Sequence, residues 1–212
     1  MFSNERVEFV GTELRRKDLA ADPLKQFGKW WQDAKTAGVA VLDGACLATV
    51  DADLKPDARM VLVKAFDQDG FKFFTNYESA KATQLGEHPD ASLVIFWPEL
   101  FRQVRLRGSV SKTSRAISQQ YFATRPRDAQ LGAHASPQSR VVASREELEK
   151  GVADAQLRFG NAAIPCPDYW GGFSFEPWYY EFWQGRESRL HDRFSYKKDA
   201  ATNQWIVARL GP

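Results

Sequence analysis

The chain has 212 residues, long enough for one well-buried domain and short for two. Its 29 basic and 27 acidic residues leave a net charge of +2, too balanced for a nucleic-acid binder, so any anion site must be local. Two cysteines exclude a disulfide scaffold and a cysteine-rich zinc site and point to a reduced, cytoplasmic setting, while the charged start MFSNERVEFVG and a longest clean apolar run of only LVIFW exclude a signal peptide and a membrane span.

Asp22-Pro23 has the chemistry of a helix start, and Leu24, Phe27, Trp30, Trp31 and Ala34 follow at helical spacing. The pattern then changes to period two. ACLATVD (45–51), ARMVLVKAF (58–66) and FKFFTN (71–76) read as antiparallel strands separated by turn-like segments. A short helix over 78–86 precedes SLVIFW (92–97) and RQVRLRGSVSK (102–112), which continue the meander. Helices are expected from Thr113 to about Arg125 and again from Ser144, where Ser144 with Glu147 makes a capping box. The tail returns to strands with GFSFEP, YYEFWQ, RLHDRFSY and QWIVARL. Strands at both ends with helices between them predict a mostly β protein, a β-barrel closed by early and late strands and decorated by helices. The expectation is one domain over 1–212, with residues 1–20 as a mobile N-terminal segment.

WQGRESRLHDRF, residues 183–194, concentrates Arg186, Arg189, Arg193 and His191. If it is extended, Arg189, His191 and Arg193 share one face and Leu190 and Phe194 the other. Such a strip either cradles an anion or is an exposed strand whose arginines pair with Glu187 and Asp192. In RMVLVK, Arg59 and Lys64 bracket a β-branched run; five residues apart they project from opposite faces, so a shared site requires a bulge, a strand end or two ligands. Two snorkelling surface cations account for the spacing equally well. Tyr121 and Arg125 share a helix face and suit a phosphate dianion, although a helix C-terminus attracts a cation without any ligand. Lys81, Ser139 and Gln103 are candidate polar contacts, and Trp170 sits beside Gly171 and Gly172, which permit close approach to a flat ring or simply core packing. There is no dinucleotide, Walker, zincin or nucleophile-elbow motif, and the three histidines are isolated, so no metal site is expected. Cationic clamps without a strong nucleophile point to a bound organic cofactor.

In order along the chain, LRRKDLAADP, RMVLVK, FFTNYESAKATQL, RQVRLRG, YFATRPRDAQLGAHASPQS, YWGGF and EFWQGRESRLHDRF resemble the pyridoxamine/pyridoxine 5'-phosphate oxidase family, from about Leu14 to the closing ARLGP. The resemblance implies an FMN-binding split β-barrel, a homodimer with FMN in clefts at the subunit interface. It implies FMN contacts from Arg59, Met60, Val61, Leu62, Val63, Lys64, Phe74, Thr75, Lys81, Gln103, Gln138, Ser139, Trp170 and Arg193. The substrate phosphate would fall to Lys64, Tyr121 and Arg125, with Arg189, Leu190 and His191 over the pyridine ring and Arg189 and His191 as the catalytic pair. The implied reaction oxidises pyridoxine or pyridoxamine 5'-phosphate to pyridoxal 5'-phosphate, with O2 as acceptor and H2O2 as product. Ala80, Ala129, Phe9 and His134 depart from the family pattern and bear on affinity. Two other readings are a flavin oxidase of the phenazine-biosynthesis type and a non-catalytic FMN or pyridoxal-phosphate binding protein.

Overall fold

A computed structural model describes residues 8–212. Helix α1, Pro23–Thr36, starts where Asp22 accepts the Leu24 N–H at 2.8 Å, and it buries Phe27, Trp30 and Ala34. The sheet strands are β1 Gly44–Val50, β2 Pro56–Leu62, β3 Ala65–Asp67, β4 Gly70–Asn76, β5 Asp90–Trp97, β6 Arg102–Lys112, β7 Trp170–Gln184, β8 Asp192–Lys198 and β9 Trp205–Leu210. Between them stand α2 Ala80–Glu87, α3 Arg115–Thr124, α4 Arg127–Ala135 and α5 Arg145–Phe159. The order β2-β1-β5-β6-β7-β4-β3 is antiparallel throughout, with β8 on β7 and β9 on β8. The late strand β7 pairs with the early strand β4, and β2 comes against β4, so the sheet curls around Phe27, Leu47, Phe71, Leu93, Ile95, Trp97, Phe175 and Phe182. This is the barrel with decorating helices that the alternation predicts. Along β6 the alternation is plain: Val104 and Leu106 are buried, while Gln103, Arg105 and Arg107 face outward.

Four local expectations are corrected. The run 58–66 is not one strand. It leaves β1 at Leu62, the N–H of Val63 turns to the Asp43 carbonyl and that of Lys64 to Lys72 on β4, both at 2.8 Å. GFSFEP and YYEFWQ are one 15-residue strand, because a register shift opposite Arg107 and Gly108 leaves Trp178 as the extra residue of a bulge. Pro177, which has no N–H to give, is tolerated there, and Gly108 lets the backbone of Glu176 come close. Helix α4 was not expected, because Pro126 reads as a stop; here it ends α3 and opens the next helix. The Gln130 amide on α4 donates to the Phe122 and Arg125 carbonyls at 3.0 and 3.1 Å, capping α3.

The fourth correction concerns 183–194. The strand stops at Gln184, a short 3-10 turn covers Glu187–Arg189, and pairing resumes at Asp192. Ser188 and Arg189 have φ of 54° and 61°, left-handed values that no strand accommodates. Strand alternation therefore does not put Arg189 and His191 on the face of Arg193. Residues 8–20 of the expected mobile segment are docked: Leu14 and Leu19 are buried, the Leu14 N–H reaches Asp192 at 3.0 Å, and the Tyr196 hydroxyl donates to the Ala20 carbonyl at 2.7 Å. Residues 1–7 of that segment lie outside the described residues. Among the described residues no helix is long and apolar enough to cross a membrane.

Candidate active site

A cleft of about 290 Å³ opens where β2, β4, α2, α3 and the start of β7 meet, lined by Met60, Val61, Leu62, Lys64, Phe74, Thr75, Lys81, Tyr121, Arg125, Gln138 and Trp170. No carboxylate is among its lining residues. The end of β2 resolves the problem of Lys64: the chain turns there, and Lys64 lines the cleft while its ammonium pairs with Asp43. Lys81 has no carboxylate of its own. Its ammonium donates to Gln138 Oε1 at 2.9 Å, Thr75 Oγ1 at 3.1 Å and Ser79 Oγ at 3.3 Å. Burial, and then the nearby Arg59, hold its pKa below the ordinary lysine value. Because lysine only donates, the Gln138 oxygen must face it, and the Gln138 amide nitrogen is left as a donor.

Arg125 sits just past the end of α3, with its guanidinium 4.7 Å from the Trp170 ring centre and 5.6 Å from that of Phe122. Its backbone N–H bonds the Phe122 carbonyl at 3.2 Å, but its guanidinium makes no bond to the carbonyls of the helix end; among the described residues Nη1 is buried without a hydrogen-bond partner, and burial lowers the pKa. An orphaned buried guanidinium nitrogen costs on the order of 1–3 kcal/mol until an acceptor arrives. Three rings form the wall beside it. Phe74 and Tyr121 stack with centres 3.9 Å apart, and Trp170 lies 5.7 Å from Phe74, nearly parallel. Trp170 is only 6% exposed, so it serves mainly as the platform under Arg125. The glycines beside it do admit flat rings, but these are the protein's own: a Cβ on Gly171 would strike Tyr77, and one on Gly172 would strike Phe74.

The other expected residues lie elsewhere. Val63 is buried in the core and offers the cleft no side chain. Arg59 is turned to Asp57, to Gln84 Oε1 at 2.9 Å and to Thr49 Oγ1 at 2.5 Å. Ser139, at φ 68°, occupies the turn after Gln138. Gln103, Arg189, Leu190, His191 and Arg193 gather at the far end of β7. There Gln103, Trp183 and Arg193 stand side by side on three adjacent strands. Arg193 pairs with Glu181 and Asp192 with Arg209, so the expected pairing of the arginines with Asp192 does not form. His191 packs at 4.7 Å from Trp183, and Phe9 closes edge-on over both rings. His191 Nδ1 accepts the Arg186 N–H at 3.0 Å, which places the proton of the neutral ring on Nε2. In this arrangement the ring nitrogen left over, Nε2, is a donor. Leu190 is 70% exposed.

The expected site residues thus fall into two groups, one near each end of β7, called half-sites below. At about 3.3 Å per residue a 15-residue strand has a contour of roughly 50 Å.

Residues 39–159 match the family described as Pyridoxamine 5'-phosphate oxidase, and residues 170–212 match the Pyridoxine 5'-phosphate oxidase C-terminal dimerisation region. Relatives named pyridoxine/pyridoxamine 5'-phosphate oxidase include one from Rippkaea orientalis, 46% identical over 207 residues that cover 98% of this chain and 97% of the relative. Another, from Hydrogenovibrio crunogenus and named pyridoxine/pyridoxamine 5'-phosphate oxidase 1, is 44% identical over 209 residues, 98% and 96% of the two chains. The chain belongs to the pyridoxine/pyridoxamine 5'-phosphate oxidase family. Among solved structures, PhzG from Burkholderia lata 383, in complex with tetrahydrophenazine-1-carboxylic acid, superposes with a TM-score of 0.88 at 27% identity over 95% of this chain and 99% of that one. A pyridoxamine 5'-phosphate oxidase-related, FMN binding protein from Nostoc punctiforme gives 0.71 at 17% identity over 92% and 100%, a likeness of fold.

As a member of this oxidase family the chain carries the dimerisation region on β7, β8 and β9, the strands that hold the second half-site apart from Gln103 on β6, and it forms a homodimer. Two residues of that half-site were not singled out from the sequence. Trp183 was legible only as an aromatic in a strand, because its neighbours Gln103 and Arg193 come from two other strands. Glu181 looked like any polar position of an alternating strand, yet it is 2% exposed and bonded to two arginines.

Proposed function

We propose that this protein is the FMN-dependent oxidase that converts pyridoxine or pyridoxamine 5'-phosphate to pyridoxal 5'-phosphate. The observation that carries the reading is the cleft in which Lys64, Lys81 and Arg125 converge without a lining carboxylate, one nitrogen of Arg125 being buried and unpartnered. The donor set fits phosphate groups, one on FMN and one on the substrate. Lys81, Gln138, Thr75 and Ser139 would hold the FMN phosphate, with Arg59 acting at longer range and the backbone of Met60 to Lys64 along the ring system. Tyr121, Arg125 and Lys64 would hold the substrate phosphate. When bound, FMN would supply the two-electron acceptor for oxidation at the substrate C4' carbon, with O2 as the final acceptor and H2O2 as product.

The second half of the site would come from the partner protomer, because the two groups stand at opposite ends of the 15-residue β7 and Trp183 and Arg193 belong to the dimerisation region. Gln103, Trp183 and Arg193 would meet the flavin there. Arg189 and the Nε2–H of His191 would meet the substrate ring, with Leu190 beside it. The contribution of these residues is register and charge placement, which raise rate by orienting the reacting carbon and by stabilising developing negative charge. The two cysteines are free, in keeping with a cytoplasmic location.

The likeness to PhzG favours a second reading, an oxidase of a phenazine precursor. Oxygen consumption by the yellow protein with pyridoxine phosphate, pyridoxamine phosphate and unphosphorylated pyridoxine tests both. Turnover of the phosphorylated vitamers with peroxide release is expected. Turnover of tetrahydrophenazine-1-carboxylic acid, assayed beside them, with none of the vitamers would replace the first reading with the second, and binding of a vitamer phosphate without peroxide would reduce the protein to a carrier.

A further inference from the structure

Glu181 lies in the second half of β7, 2% exposed, with charged neighbours on both flanking strands. Its Oε1 accepts from Arg193 Nε at 3.0 Å and Nη2 at 2.8 Å; its Oε2 accepts from Arg105 Nη2 at 2.5 Å and from the Tyr179 hydroxyl at 3.0 Å. Arg193 gives a further bond, Nη1 to the Gly211 carbonyl at 2.7 Å. Three of the five N–H groups of Arg193 are therefore spoken for by partners that fix the plane of the guanidinium, and two remain. A guanidinium on a flexible stem loses much rotamer freedom when it binds a ligand, unless other bonds have already ordered it. Nothing in the binding chemistry requires a buried carboxylate behind an arginine; one without partners would be strongly unfavourable. Here it is fully partnered, and its bonds lock the side chain that stands beside Trp183.

We propose that Glu181 is a positioning residue: through its bonds to Arg193 it orients the remaining donors of that arginine toward the flavin, without touching the flavin itself. Arg105 and Tyr179 hold the carboxylate from the other side, so the unit is Arg105–Glu181–Arg193 across three strands. The Gly211 carbonyl makes the C-terminal residues part of the same lock. The proposal rests on Arg193 facing FMN, as read above.

The test is a double-mutant cycle on FMN affinity, read by quenching of flavin fluorescence on titrating the FMN-free dimer. Arg193→Ala is expected to raise the FMN Kd about tenfold or more, and Glu181→Gln about tenfold, because the amide presents a nitrogen to one of the two arginines. The double variant is expected to bind within about twofold of Arg193→Ala alone, since Glu181 has then nothing to position. Glu181→Asp, which keeps the charge one methylene short, should recover part of the loss, and it runs the same cycle if the glutamine variant does not form a dimer. Losses that multiply in the double variant would overturn the positioning role and leave the site reading intact. An unchanged Kd in Glu181→Gln beside a raised one in Arg193→Ala would do the same. An unchanged Kd in Arg193→Ala would overturn the placement of Arg193 at the flavin, and with it this proposal.

Discussion

The two ends of β7 are built on different principles. At the Trp170 end, cations sit on a rigid base of barrel strands and helices: Arg125 is held by ring faces and Lys81 by neutral oxygens, neither with a carboxylate partner among the described residues, while Lys64 pairs with Asp43. At the Trp183 end the arginine is neutralised and aimed by a buried glutamate, and the surroundings are chain termini: Phe9 and Leu14 from one, Arg209 and Gly211 from the other. Each end leaves one buried arginine nitrogen without a partner among the described residues, Arg125 Nη1 and Arg105 Nε, but only at the second does a carboxylate neutralise the arginines; the first is thus suited to an anion and the second to holding a donor in a fixed direction. The first end should therefore govern affinity for phosphate, and the second the alignment of rings.

The largest effect separating the ends should come from Arg125→Ala. Charge-assisted bonds to the substrate phosphate are worth roughly 1.5–3 kcal/mol each, so KM for pyridoxine phosphate should rise about ten- to a hundredfold. Because the phosphate is remote from the reacting carbon, kcat should change little, and the preference over unphosphorylated pyridoxine should largely vanish in steady-state kinetics. Retention of the wild-type preference would remove the clamp from this end.

Next in size is the linkage between cofactor and assembly. If the two ends meet only across the dimer, FMN at a hundred times its Kd should stabilise the folded dimer by about 2.7 kcal/mol per site, seen as a raised Tm and a tighter association in sedimentation. A mass and Tm indifferent to FMN would mean that each protomer binds it alone.

A smaller contrast lies inside the second end. Arg193→Ala should weaken FMN about tenfold. Arg189→Ala and His191→Ala should keep FMN and lower kcat/KM for the vitamers. Equal loss of flavin in Arg189→Ala and Arg193→Ala would show that the 3-10 turn does not separate their tasks.

The smallest expected effect concerns pH. Burial first, and then Arg189, hold the His191 pKa below the ordinary imidazole value, and protonation would set an N–H at Nδ1 against the Arg186 N–H. With the folded pKa lowered, the unfolded chain takes up the proton first as pH falls. The contribution to stability is therefore complete above the unfolded value and is lost as pH drops through the folded one. An NMR titration of the His191 ring should give a midpoint below the ordinary value that moves upward in Arg189→Ala. No movement would mean that the neighbouring cation does not reach it.

Much of this was legible in the chain itself. Period-two runs identified nearly all strands, because a sheet with one buried face must alternate, and Asp22-Pro23 and Ser144 marked helix starts, because an N-cap carboxylate or hydroxyl satisfies exposed N–H groups locally. Tyr121 and Arg125 could be paired because helix spacing is local geometry. What the chain could not reveal depends on contacts between distant segments. The bulge at Trp178 exists only against β6, and the break at Ser188 only where β8 must return to β7. Glu181 and Trp183 gain their meaning from neighbours on other strands. Alternation says which face a side chain takes, but register, set by the whole sheet, decides what it meets there.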